Sequence, residues 1–515
     1  MSENTKTKDQ KPKAKLVWIV FALLIVGVYF TGLTIPLLGP DEPRYAEVAR
    51  EMFTRGDWIT PTLGGFDWFE KPALLYWLQI VSYKLFGVSE FAARFGSALF
   101  GLGTVFSLWI LGQKSSAISN QQSGEIQNRS NFANWLALIA ASSLGLIVFS
   151  HGASFDIILT FPITSSLVAF FLFDQSREKS GFTFYFLLIT FYFFIGVSLI
   201  AKGLVGIVFP LAIVAFYYLL SRKFPSKQFI YSLFWGTCVA LLVACVWYLP
   251  MYRANGWKFI DEFFIQHHFQ RYFSNKYQHP QPFYFFFWVL PLMTLPWLPF
   301  FLASIWNLLK VPSSKFKVQE KEKISTLYSP LTTFAVAWLL VPLVFFSVSG
   351  SKLPGYILPA LPAAMILTAD YIYRFVQKSA KRELAIKIVA FATFAAVLVV
   401  FQFFLTNYTN PETTKNLIES ANSQGYSKEK IVNLFTVSHN LEFYAPDRIV
   451  RDMDGNQKRY DDFYVLVTDL KNEKSGEILV ALPSKNVLEI SESKLVDSTL
   501  LGNNGETSLI LIKIK

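Results

Sequence analysis

Residues 229–250 read FIYSLFWGTCVALLVACVWYLP, and none of these 22 positions carries a charged side chain. A helix rises about 1.5 Å per residue, so such a run matches the ~30 Å hydrocarbon core of a bilayer. Ten more runs of this kind occur, at about 16–36, 90–111, 132–150, 156–173, 182–200, 203–220, 283–308, 328–348, 354–373 and 385–405. The chain therefore reads as a polytopic α-helical membrane protein of about 11–13 spans. The first run lacks a small-residue cleavage site and reads as a span or signal anchor.

Composition agrees. Hydrophobic residues make up 53% of the 515, and charged residues only 16%. The mean hydropathy is +0.37. This excludes a string of soluble domains, a disordered chain and a disulfide-stapled one. Cys238 and Cys245 lie within one apolar run and read as small core residues rather than a disulfide pair. The net charge of +11 suggests nucleic acid at first sight, but basic cytoplasmic loops account for it better.

Lysine and arginine set the orientation. Lys6, Lys8, Lys11, Lys13 and Lys15 precede the first span, so residues 1–15 form a cytoplasmic basic tail. Arg222, Lys223 and Lys227, then Lys310, Lys315, Lys317, Lys321 and Lys323, then Arg374, Lys378, Lys381 and Arg382 fall on the same side if the spans alternate. The opposite face receives 37–89, 251–282, 349–353 and the tail from 406. Residues 16–405 form the multi-span domain. Residues 406–515 change composition and read as a small external α+β domain, with strand-like runs at Ile431–Val437, Phe463–Thr468, Ile478–Leu482 and Ser508–Lys515. No glycine-rich phosphate loop is present, and no nucleotide or redox cofactor is expected.

The first external loop carries the densest chemistry. Pro40-Asp41-Glu42-Pro43-Arg44-Tyr45 opens a helix that Asp41 or Glu42 can cap. Tyr45, Val48, Ala49, Met52 and Phe53 form an apolar stripe, with Arg44, Glu47, Arg50, Glu51 and Arg55 opposite, as in a helix lying in the membrane interface. Gly64-Gly65 breaks the chain. Glu70-Lys71-Pro72 then leads into a second interfacial helix, Ala73–Phe86. Helix N-termini favour anions, so the two charged entries suit an anion if they converge at the outer membrane–water boundary.

The stretch from Pro40 to Met52, with Gly56-Asp57-Trp58-Ile59-Thr60-Pro61, Phe69-Glu70-Lys71-Pro72 and Tyr76-Trp77, resembles the bacterial lipid A aminoarabinose transferases. More broadly it is similar to the GT-C membrane glycosyltransferases that include the protein O-mannosyltransferases. The resemblance covers most of 16–405 and leaves the tail without a diagnostic motif. It implies a GT-C fold and an inverting transferase. Such an enzyme moves a sugar from a polyprenyl-phosphate carrier to lipid A, another envelope glycolipid or a protein, outside the cytoplasmic membrane. Asp41 takes the position of the family's essential acid, and Ala73 replaces the family's second proline.

The resemblance extends to other charged positions. Asp156 matches a second acid after the third span, and Lys202 a recurrent Lys-Gly. In 251–282, Arg271 fits the arginine that holds the carrier phosphate, and His268, with His267 beside it, fits the histidine. Lys71, Lys202 and Lys352 are expected at the donor phosphate. Glu42, Arg44, Tyr45 and Tyr356 are expected to position the acceptor. A divalent metal on Glu70, His267 and His268 is a further expectation. Helix capping is the competing reading for the acids, and snorkelling for Lys202. The rival class is a transporter or lipid flippase. Its paired charges deep in broken spans and its inverted repeat are not seen in the sequence.

Overall fold

A computed structural model describes residues 6–39, 41–115, 125–176, 180–270, 281–310, 329–405, 413–437, 439–472 and 477–515. Among the described residues each of the eleven apolar runs lies largely on helix, although 283–308 is broken between Phe285–Met293 and Leu298–Leu309, and 31–36 lie past the end of the first helix. Seven described helices are long and apolar enough to cross a membrane: Glu90–Lys114, Phe155–Asp174, Phe182–Lys202, Lys227–His267, Pro330–Ser347, Pro354–Val376 and Ala380–Leu405. An eighth crossing is a pair, Phe132–Ala141 and Leu144–Ser150, bent by 59°. Lys15–Phe30, Val205–Ser221 and Leu298–Leu309 are shorter apolar helices.

The chain divides into two compact units. The first holds 1–31, 70–75 and 96–398. Its interior is aromatic: the Phe170, Phe171, Tyr217 and Phe334 rings meet at 4.9–6.4 Å. Buried indole and phenol groups find carbonyls, as they must away from water. Trp338 Nε1 donates to the Pro359 carbonyl at 2.8 Å, and Tyr29 to the Ala141 carbonyl at 3.1 Å. Where the span at 132–150 bends, the freed Leu144 amide donates to the Leu295 carbonyl at 2.7 Å, and Trp297 Nε1 donates to Ser142 Oγ at 3.0 Å. A bent helix is tolerated at membrane depth when neighbours satisfy its backbone in this way.

Two expectations about this unit are corrected. Residues 251–282 are not an extended loop from their start. The helix runs on past Pro250, turns at Gly256 (φ 57°) and stays helical to Gln270. Cys238 and Cys245 are free thiols, but both are exposed on the outer side of their helix rather than in the core.

The second unit joins 32–69, 76–95 and 399–515. Its sheet has the strand order Arg459–Tyr460, Ile431–Leu434, Glu477–Pro483, Thr507–Ile514, Val496–Asn503. The first two pairings are parallel and the last two antiparallel. Alternate side chains enter opposite faces. Val432, Leu434, Val480, Leu482, Ile510 and Ile512 pack with the helix Phe463–Asn472, while Ile431, Leu479, Ala481, Leu509 and Leu511 pack with Ile418, Ala421 and Leu441.

The strand expected at Phe463–Thr468 is that helix. Phe463, Leu466, Val467 and Leu470 are its buried residues, at helical spacing, and Asp462 Oδ1 caps the Tyr464 amide at 2.6 Å. The strand Val496–Asn503 was not among the expected runs. The loop helix Asp41–Arg55 buries Glu47 and Glu51 along with Tyr45, Val48, Ala49 and Met52. It packs against the tail helix His439–Tyr444, so its acidic side is not the solvated face of an interfacial helix.

Candidate active site

In the first unit, three distant segments meet around Asp156. Ser154, not Asp156, is the N-cap: its hydroxyl accepts from the Asp156 amide at 3.1 Å. The Asp156 carboxylate is thereby free to bond Lys202 Nζ. The pairing has a physical logic. Asp156 lies in the first turn of one helix and Lys202 in the last turn of its neighbour, so each charge opposes its own helix dipole. Gly203 (φ 76°) ends the second helix in a conformation that glycine adopts freely. Lys202 Nζ also stands 4.8 Å from the centre of the Tyr356 ring. Next to it, a Cβ on Gly355 would lie 1.9 Å from Asp156 Oδ2, so only glycine lets the turn approach that carboxylate.

Lys352 is buried. Its ammonium donates to the Ser349 carbonyl at 2.6 Å and to the Gln281 carbonyl at 3.0 Å, and burial holds it below the usual lysine range. Lys71 pairs with its neighbour Glu70 at 2.6 Å, both largely covered. Of the expected metal set, Glu70 is held in this pair. His267 lies on the helix Asp261–Gln270. The side chain of His268, and all of Arg271, lie outside the described residues.

The second unit holds the entry to the first-loop helix. The Asp41 side chain is half-exposed and accepts from Arg44 Nη1 at 3.2 Å. The Arg44 guanidinium lies 5.6 Å from the Trp68 ring centre, and Tyr45 is buried. Glu42 lies in the first turn of the helix. Its carboxylate turns back to accept from the Leu38 amide at 2.8 Å. It also pairs with Arg94 at 2.7 and 3.1 Å.

Arg94 is a residue that the sequence reading passed over. It is 2% exposed and also donates to the carbonyls of Leu33 (3.1 Å), Pro36 (3.0 Å) and Ile35. The signal was present: a charge inside an apolar run reads as functional by default.

The described structure thus gathers Asp156, Lys202 and Tyr356 in one place, joins Glu70 to Lys71, and fixes Glu42 next to Asp41. Among the described residues, one group of three acids, Glu47, Glu51 and Glu442, has ligand-type atoms within 4.8 Å of one another. Each has protein donors: Arg50 on Glu47 (2.5 and 2.7 Å), Thr62 and the Gly64 amide (2.6 Å) on Glu51, and Arg451 and Gln457 on Glu442. Burial pushes the Glu47 carboxyl up to about 8 against the pull of Arg50, and raises Glu442 too.

This fold has solved counterparts. The structure of ArnT from Cupriavidus metallidurans bound to undecaprenyl phosphate superposes with a TM-score of 0.77, at 20% identity, over 96% of this chain and 97% of that one. Residues 16–261 match the family described as dolichyl-phosphate-mannose-protein mannosyltransferase. The class is that of the GT-C membrane glycosyltransferases, which are multi-pass membrane proteins.

Closer relatives are undecaprenyl phosphate-alpha-4-amino-4-deoxy-L-arabinose arabinosyl transferases. That of Shewanella sediminis is 31% identical over 403 residues, 77% of this chain and 67% of its own length. That of Yersinia enterocolitica is 31% identical over 74% of this chain and 64% of its own length. The chain belongs to this family.

Proposed function

We propose that this chain transfers a sugar from a polyprenyl-phosphate carrier to an envelope acceptor, lipid A first among them, on the outer side of the inner membrane. The names of its relatives put 4-amino-4-deoxy-L-arabinose on undecaprenyl phosphate first among donors. The amino terminus is then cytoplasmic and the tail external. The observation that carries the reading is the 31% identity over 77% of the chain to such a transferase.

The chemistry needs few groups. An acceptor oxygen attacks the anomeric carbon from the face opposite the phosphate. The carbon–oxygen bond to phosphate breaks, and polyprenyl phosphate leaves with the electron pair, inverting the centre. A phosphate is already an acceptable leaving group, so the site chiefly stabilises charge. Lys71 and Arg271 meet the departing phosphate. Lys202, fixed by Asp156 and laid over Tyr356, adds positive potential from a rigid mount. Lys352, anchored by two carbonyls, keeps a third N–H for the donor phosphate. Asp41 faces the acceptor: it takes the proton from a hydroxyl, or orients a lipid phosphate that needs no deprotonation. Glu42, Arg44 and Tyr45 position it, with Tyr356 on the acceptor side. Glu70 with His267 and His268 is an oxygen–nitrogen donor set suited to a divalent ion, which would supply further positive charge beside the phosphate.

The test is transfer from labelled undecaprenyl phosphate-aminoarabinose to lipid A in membranes carrying wild type or Asp41→Asn. Transfer should fall by about 100-fold or more in the variant, the scale lost with a general base. Undiminished transfer removes Asp41 from the mechanism. Mass spectrometry of envelope lipids from cells with and without the chain identifies the acceptor.

A further inference from the structure

The tail has no part in the reaction as written above, yet its short helix His439–Tyr444 lies against the loop helix Asp41–Arg55 in the same compact unit. Two sets of contacts hold it there. The Leu37 amide donates to Tyr444 Oη at 3.0 Å. Leu37 is four residues before Asp41, and the Tyr444 ring packs on the tail core formed by Ile418, Leu441 and Ala445. Further along, Glu442 reaches Glu47 and Glu51 on the loop helix. All three acids are buried and saturated by Arg50, Arg451, Thr62, Gln457 and the Gly64 amide. Gln457 is itself fixed by Asn433, a buried residue of a central strand, at 2.8 Å. At the Gly64-Gly65 turn, a Cβ on Gly65 would lie 2.9 Å from the Gly455 carbonyl, so the tail's own turn also touches the loop.

We propose that the tail domain is a positioning element for Asp41, acting through Tyr444 at the helix entry and Glu442 along its first turns. The proposal rests on the reading of Asp41 given above. A sheet buried on both faces is stiff, and its stiffness passes to the loop through side chains that have no freedom left. Asp41 itself is half-exposed, and Arg44 is its neighbour on the same helix. Its place is therefore set by the chain on either side of it: Tyr444 holds the Leu37 amide, and Arg94 holds the Leu33, Ile35 and Pro36 carbonyls and the Glu42 carboxylate. Misplacing a reacting group by about 1 Å can cost about 100-fold in rate.

The experiment uses the full chain in proteoliposomes with undecaprenyl phosphate-aminoarabinose and lipid A. Tyr444→Phe keeps the ring and removes only the acceptor oxygen. We expect kcat to fall about tenfold, the scale of one lost hydrogen bond at the reacting geometry, with KM for the donor within about twofold and the melting temperature unchanged. Glu442→Gln, which loosens the helix at another point, is read in the same way and stands in should Tyr444→Phe fail to fold. Wild-type kcat in both variants overturns the proposal, as does a loss that tracks melting temperature alone. Asp41→Asn separates the two levels. If it stays active, the reading of Asp41 falls and the proposal with it. If it is inactive while the tail variants are normal, only the positioning role falls.

Discussion

At the scale of single residues, the chain reserves glycine and buried charge for the places where backbone and carboxylate must come close. Gly355 is the sharpest case. Asp156 Oδ2 occupies the space of its missing Cβ, and the other carboxylate oxygen is committed to Lys202. Gly355→Ala must push Asp156 off Lys202 or shift the turn. We expect sugar transfer to fall at least tenfold and stability by about 1–3 kcal/mol, the range for overpacking a filled site. Wild-type transfer and stability in Gly355→Ala would show that the turn can move away from Asp156 at no cost. The acids themselves were legible in the sequence, because charge is scarce there and each one stands out. Which base pairs with which acid was not. Lys202 lies 46 residues from Asp156 and Arg94 lies 52 from Glu42, and no local pattern links them.

At the scale of elements, hydrophobic period separated span from loop well and strand from helix poorly. Every long apolar run became largely helix, because a bilayer-length stretch of backbone must bond to itself. The tail was harder. Phe463–Thr468 has the β-branched and aromatic residues of a strand, but its buried positions repeat at three and four residues and Asp462 caps its first turn. A cap of this type is worth about 1 kcal/mol. Asp462→Ala should therefore lower the stability of the tail by about that amount in thermal unfolding followed by tail-specific proteolysis. An unchanged midpoint would mean that packing against the sheet alone decides the helix. The strand Val496–Asn503 escaped notice for a related reason. It forms one edge of the sheet, with exposed Asp497, Thr499 and Leu500, so it carries no apolar run.

At the scale of the whole molecule, the chain returns after some 300 residues of spans to finish a unit begun at residue 32. The buried group Glu47, Glu51 and Glu442, with Arg50 and Arg451, sits where the two parts of that unit join. Burial outweighs the pull of Arg50 and keeps a proton on Glu47, whose carboxyl rises from 4.5 to about 8. The folded state then holds a proton that the unfolded chain releases. The resulting stability is complete below about pH 4.5 and is lost as pH rises through about 8. Arg55, 3.7 Å from Glu51, and Tyr83, which donates to the Ala46 carbonyl, are the other titratable groups facing the cluster. We expect the melting temperature of wild type to decline between about pH 5 and 8 from this group, and Glu47→Gln to flatten that decline. Equal slopes in the two proteins would place the proton elsewhere.

The sequence by itself determined the membrane architecture, the family and the candidate acids and bases. Span length, charge scarcity and the Pro40–Met52 and Glu70-Lys71-Pro72 motifs are all local properties, and local properties are readable along a chain. Only the tertiary structure decided that Ser154 rather than Asp156 caps its helix, that Lys202 is held between Asp156 and Tyr356, and that Lys352 is anchored on two carbonyls. It alone joined the tail to the loop that carries Asp41. The Asp156–Lys202 pair and the join of tail to loop depend on which groups, 46 and 407 residues apart, satisfy one another's charge and hydrogen bonds, and that is settled by packing rather than by any window of sequence.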